Sequence, residues 1–154
     1  MGQSTDGQIC FGVVFEEDAE LPWEAEEYDG IEDWWTEVGG FKAEFDPYTD
    51  EGEFKQGVSH TDPRVDKYYN DRVEWRKRNP LPVELVNSCS TNSPMWIIAV
   101  RGTVQEANRG FPIKFDPAAL TVDPKNLQAF IDFVGRFEIE FGGDPAWYLS
   151  SYWG

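Results

Sequence analysis

A nucleophilic mechanism needs a base that can be poised near neutral pH, and this chain offers one imidazole, His60. His60 lies between Ser59 and Thr61, just before a predicted helix start, where a polar loop residue is the ordinary reading. Neither thiol, Cys10 or Cys89, belongs to a CxxC pair, and no GxSxG, P-loop or GxGxxG pattern occurs. The acidic stretch Asp46–Glu53 invites a calcium test. A loop starting at Asp46 needs Gly at its sixth position and Glu at its twelfth, but those positions hold Glu51 and Gly57. Paired carboxylates can run acid/base chemistry. With 29 acids in 154 residues, however, some pair is always at hand. The sequence therefore predicts no catalytic residue, no metal site and no cofactor.

The elements that would position any of these groups follow from period and punctuation. Ile9, Phe11, Val13 and Phe15 alternate as a strand. Asp29-Gly30-Ile31-Glu32 resembles a capping box with Asp29 as N-cap. The helix it opens runs to about Val38, with Ile31, Trp34, Trp35 and Val38 on one stripe and carboxylates outside, and Gly39-Gly40 stops it. Residues 41–45 and 53–58 are expected to pair as a hairpin. Asp62 and Pro63 open a longer helix to about Arg78, whose buried side is expected to be Val65, Tyr68, Tyr69 and Val73, with Trp75 on its flank. Two strands, 82–87 and 95–101, should form the middle of the sheet. The stretch from Gly102 to Asp123 reads as irregular. Asp123-Pro124 then opens a helix bearing Leu127, Phe130, Ile131, Val134 and Phe137, expected to pack on the sheet. The aromatic segment Ala146–Gly154 should dock against the fold.

The size, 17.7 kDa, suits one core, and 16% aromatic residues argue for a folded chain. The expected fold is α+β: a single domain over residues 1–154, with a mostly antiparallel sheet packed by two or three helices and a strongly acidic N-terminal half. The opening MGQSTDGQ has no leader-like pattern, and no apolar run approaches the ~18 residues of a membrane span. A reduced cytoplasmic setting with two free, buried thiols is expected.

Charge is distributed unevenly. Residues 1–62 carry 18 acids against Lys42 and Lys55, which is the whole formal charge of −16; in the remainder 11 acids and 11 bases cancel. Such a field repels nucleic acid and attracts basic surfaces. The acids are interleaved with Trp23, Tyr28, Trp34 and Trp35. A helix-borne row of carboxylates can oppose Lys and Arg side chains arranged for phosphates, and neighbouring aromatics can anchor such a contact. The candidate partner-binding residues are Trp23, Glu24, Glu26, Glu27, Tyr28, Asp29, Glu32, Asp33 and Glu37. Two blander readings stand beside this one: a solubilising surface, and neutralisation by Arg64, Lys67, Arg72, Arg76, Lys77 and Arg78 on the second helix.

Residues 1–12 (MGQSTDGQICFG), the Trp34-Trp35 pair, residues 79–86 (NPLPVELV) and residues 147–154 (WYLSSYWG) resemble a family of small acidic proteins encoded by tailed bacteriophages. The resemblance implies an accessory protein acting in the bacterial host cytoplasm and carries over no functional residues. Together with the charge it leads to an expected function: a non-enzymatic anti-defence protein, of anti-CRISPR or anti-restriction type. It would bind the basic nucleic-acid channel of a host complex by occlusion or partial DNA mimicry, with no direct binding to nucleic acid or membrane. The alternatives are a virion structural or assembly accessory, in which the aromatic C-terminus and self-association matter more, and a protein acting on a nucleotide signal through residues 102–116 and His60.

Overall fold

A computed structural model of the chain describes residues 5–15, 21–25, 30–90 and 93–153. Their elements, in order, are β1 (Thr5–Val14), α1 (Pro22–Ala25), α2 (Ile31–Val38), α3 (Pro63–Arg78), β2 (Val83–Ser90), β3 (Ser93–Val100), β4 (Gln105–Ala107), α4 (Pro124–Arg136) and β5 (Ala146–Trp153). The fold is α+β with a mixed, mostly antiparallel five-stranded sheet. It comprises two compact units, a sheet unit (Met1–Pro22 with Pro82–Gly154) and a helical unit (Trp23–Leu81).

In the sheet unit β1 is the organising strand. Along one edge it pairs antiparallel with β5 from Thr5↔Trp153 to Gly12↔Ala146. Along the other it meets β4 at Gly7–Ile9 and β3 at Gly12–Val14. β3 also pairs with β2 as a hairpin, and β2 returns to β5 through a short parallel contact at Cys89 and Ser90. The pairings β1–β3–β2–β5–β1 therefore close on themselves. Cys10, Val86, Ile97 and Ala99 pack together as a buried cluster, flanked by Val14, Val104 and Tyr148. The alternate positions Val13, Ile98 and Val100 point to the opposite face and are also buried, as are Phe130, Phe133 and Val134 of α4, which packs on β3. Thr103, almost fully buried, ties β1 to the end of β3: its Oγ1 accepts from Phe11 N at 3.1 Å and donates to the Val100 carbonyl at 2.7 Å.

The structure departs from the sequence reading in several places. β2 and β3 extend beyond the expected bounds 82–87 and 95–101, to Ser90 and from Ser93, which stand opposite each other. The aromatic C-terminal segment is a full strand. On α4, Phe133 is buried where Ile131 was expected, and Ile131 is half exposed. Of the thiols, both free, Cys10 is fully buried and Cys89 only partly.

In the helical unit α2 begins at Gly30, whose φ of 153° suits glycine and whose place at the N-cap excludes Asp29 from that role. Asp29 itself lies outside the described residues. α3 starts as expected, with Asp62 Oδ1 accepting from Arg64 N at 2.9 Å and Pro63 at the first helical position. Its buried side differs: Val65 and Tyr68 are inside, but Tyr69 and Val73 are 44% and 48% exposed. The expected 41–45/53–58 hairpin is replaced by irregular chain with one isolated bridge, Tyr48↔Phe54. The aromatic side chains there pack against α3 and against one another. Phe41 meets Tyr68 and Trp75 edge-on, and Tyr48 meets Phe54 and Tyr68.

Candidate functional site

The helical unit holds most of the residues proposed from sequence. Glu26, Glu27, Tyr28 and Asp29 lie outside the described residues. The rest separate into three environments. Trp23 is 4% exposed and packs edge-on against Trp34, itself 1% exposed, with ring centroids 5.5 Å apart. Trp23 is therefore part of the unit's own core, and the expectation of an exposed anchor there is corrected. Trp35 is spent similarly, donating its Nε1–H to the Asn79 carbonyl at 2.9 Å.

Asp33 and Glu37 face α3. Asp33 Oδ1 accepts from Arg72 Nη2 at 3.0 Å and also from Arg76 Nη2, while Arg72 Nη1 lies 3.8 Å from Glu37 and donates to the Tyr68 hydroxyl at 2.9 Å. Arg76 Nε donates to Thr36 Oγ1 at 2.7 Å; that fully buried hydroxyl in turn donates to the Glu32 carbonyl. The Arg72 side chain is only 15% exposed. Burial opposes its charge, but Tyr68, Asp33 and Glu37 more than offset this and hold the guanidinium above its ordinary value. The arrangement locks α2 to α3, and it withdraws Asp33, and in part Glu37, from any outward row. Here the intramolecular neutralisation weighed from sequence is what the geometry contains.

Glu24 and Glu32 remain exposed, with Glu32 only 3.9 Å from Arg76 at the edge of the lock. Among the described residues, a further set of exposed carboxylates lies outside the helix-borne candidates. It is Glu44, Asp46, Asp50, Glu51 and Glu53, on the irregular segment before α3. The one base within that segment's span to residue 55 is Lys55, which donates to the Asp46 carbonyl at 2.9 Å. The signal for it in the sequence is the close spacing of Asp46, Asp50, Glu51 and Glu53. Among the described residues, no three His, Cys, Asp or Glu side chains converge as metal ligands.

Beside this segment is a cavity of about 330 Å³ lined by Glu44, Phe45, Arg64, Lys67, Tyr68 and Asp71. Lys67 Nζ sits 2.7 Å from Asp71 and 3.4 Å from Glu44, and Arg64 lies over the Phe45 ring at 4.4 Å while its Nη2 pairs with Asp62 at 2.7 Å. The Asp71 and Glu44 hydrogen bonds push the Lys67 ammonium up, and Arg64 holds the Asp62 carboxyl below its usual range.

The other candidate chemistry fares less well. His60 is exposed, and its ring lies against Phe54 at 4.2 Å. Burial, reinforced by Glu84, pushes the Cys10 thiol up to about 11, so it stays protonated and is a poor nucleophile at neutral pH. In the sheet unit a second cavity, about 310 Å³, is lined by Gly7, Gln8, Ile9, Gln105, Ala107, Ile113, Phe115 and Leu149. It overlaps the 102–116 region, but its lining carries no ionisable side chain. Of the lining residues, Leu149 is 82% exposed.

Against known proteins the chain matches no family model, no curated sequence and no solved structure. Function is therefore argued from geometry and charge. No helix among the described residues is long and apolar enough to cross a membrane.

Proposed function

We propose that the protein is a phage anti-defence accessory that acts by binding rather than catalysis. Its acidic helical unit occupies the basic nucleic-acid channel of a host defence complex in the bacterial cytoplasm, of anti-CRISPR or anti-restriction type, by occlusion or partial DNA mimicry. The observation that supports this reading is the excess of exposed carboxylates among the described residues of the helical unit: Glu24, Asp46, Asp50, Glu51, Glu53 and Asp66, with Glu32 and Glu44 only loosely paired. A surface with an excess of exposed carboxylates steers a basic partner and makes association salt-sensitive. The contact surface moves accordingly, away from the locked face of α2 and towards the segment before α3.

The test is capture of partners from phage-infected cells by the tagged protein at low and high salt, repeated with Glu44, Asp50, Glu51 and Glu53 all changed to Lys. The expected outcome is a nucleic-acid-binding host complex retained at low salt, lost at high salt and lost with the quadruple variant. Undiminished capture by that variant would sink the proposal.

A second reading, a virion assembly accessory that associates with another copy of itself, draws on the apolar cavity of the sheet unit and on Leu149 protruding beside it. It predicts a concentration-dependent oligomer in sedimentation that Leu149→Glu reduces to monomer. A monomeric wild type at all concentrations would eliminate it.

A further inference from the structure

The cavity beside α3 has a charge surplus and a shape that select one kind of occupant. The lining holds two carboxylates, Glu44 and Asp71, and two cations, Arg64 and Lys67; with Asp62, which holds Arg64 from outside the lining, three carboxylates face two cations. Two of the three are engaged at 2.7 Å, Asp62 with Arg64 and Asp71 with Lys67. The third, Glu44, is held only by the 3.4 Å contact to Lys67, with its side chain 85% exposed. Among the described residues, Glu44 is therefore the most loosely held carboxylate of the cavity. The lining also includes two aromatic residues, Phe45 and the almost fully buried Tyr68. Arg64, lying 4.4 Å over the Phe45 ring, shows that this ring accepts a guanidinium.

We propose that this cavity receives one arginine side chain of the basic partner, its guanidinium paired with Glu44 and packed against Phe45 and Tyr68. A guanidinium suits the site better than an ammonium. Its planar fork takes both carboxylate oxygens at once, and its weakly hydrated face lies on aromatic carbon. Lys67 keeps its shorter bond to Asp71 when the longer one to Glu44 is exchanged. A phosphate or other anion would meet the surplus carboxylate and two cations already neutralised at 2.7 Å. A volume of about 330 Å³ lies at the small end of ligand pockets (~300–1,000 Å³), a size for a side chain rather than a large cofactor.

This inference rests on the proposed binding of a basic partner, and the test separates the two. The probes are two pentapeptides of equal charge, one all lysine and one with a central arginine, titrated calorimetrically at low salt against the full chain. The same titrations are made with Glu44→Gln and with Glu74→Gln, an exposed α3 acid outside the cavity. The expected result is that the arginine peptide binds about fivefold tighter than pentalysine, that Glu44→Gln removes this preference, and that Glu74→Gln keeps it. Equal binding of the two peptides, or a preference that survives Glu44→Gln, would overturn the cavity while leaving the acidic surface standing. If neither peptide binds, both fall. Glu44 is on the surface, so its substitution leaves the core untouched. Phe45→Leu, which removes the ring and keeps an apolar side chain, gives an independent check and should also erase the arginine preference.

Discussion

Gly12 lies in β1 between two alanines, Ala99 on β3 and Ala146 on β5. A Cβ added there would lie 2.0 Å from the Ile98 carbonyl oxygen and 2.7 Å from the Ala99 Cα. Both are backbone atoms, so no side-chain rotation relieves the clash and the strands have to part. Gly12→Ala should therefore destabilise the sheet unit by about 3 kcal/mol or more, at or above the upper end of overpacking costs. Denaturant melts of the variant check this; a loss below about 0.5 kcal/mol, the range of neutral surface changes, would mean that β1 and β3 approach less closely than described. From sequence Gly12 was one residue within an alternating strand. Nothing local marks it as the place where a third strand comes in, because that contact joins residues 87 positions apart.

At the scale of elements, legibility follows how local the determining signal is. Asp62-Pro63 and Asp123-Pro124 each contain a complete helix start within two residues, and both caps stand where the sequence put them. The cap on α3 also carries a pH dependence. Arg64 holds the Asp62 carboxyl below its usual range, so the native state is favoured while Asp62 is ionised. That contribution is complete above the unfolded carboxylate value of ~3.9 and fades as pH falls through the lower folded value. Asp62→Asn keeps an oxygen acceptor for the helix N-terminus but removes the charge. Its acid unfolding, followed by far-UV circular dichroism, should depend less steeply on pH below about 4 than that of the wild type. An identical acid profile would show that the Asp62 pairing does not couple to folding. Signals that need a distant partner were read less well. Tyr69 and Val73 fit helical spacing, yet the side of α3 that α2 covers bears Arg72 and Arg76, because Asp33 lies opposite. Residues 41–45 have the aromatic content of a strand, but Phe41 is taken up by Tyr68 and Trp75 instead. The C-terminal strand β5 was read only as a docked segment. Exposed Leu149 opposite Ile9 blurs the apolar/polar alternation that would have announced it.

For the molecule as a whole, charge was legible and its destination was not. The excess of acids before residue 63 can be counted from the letters, but which of them face water depends on where Arg72, Arg76 and Lys67 fall in three dimensions. The closed pairing of the sheet unit has a temporal counterpart. β1 is made early, and its longest partner, β5, follows more than 130 residues later. The helical unit, by contrast, is one continuous stretch, Trp23–Leu81. During synthesis every contact within that stretch becomes available while β1 still has both edges bare. The growing chain thus carries an unpaired apolar strand until β3 and then β5 emerge, and contacts of such long separation form late. Throughout that interval the intervening segment carries an excess of acids, and like charge opposes association between chains.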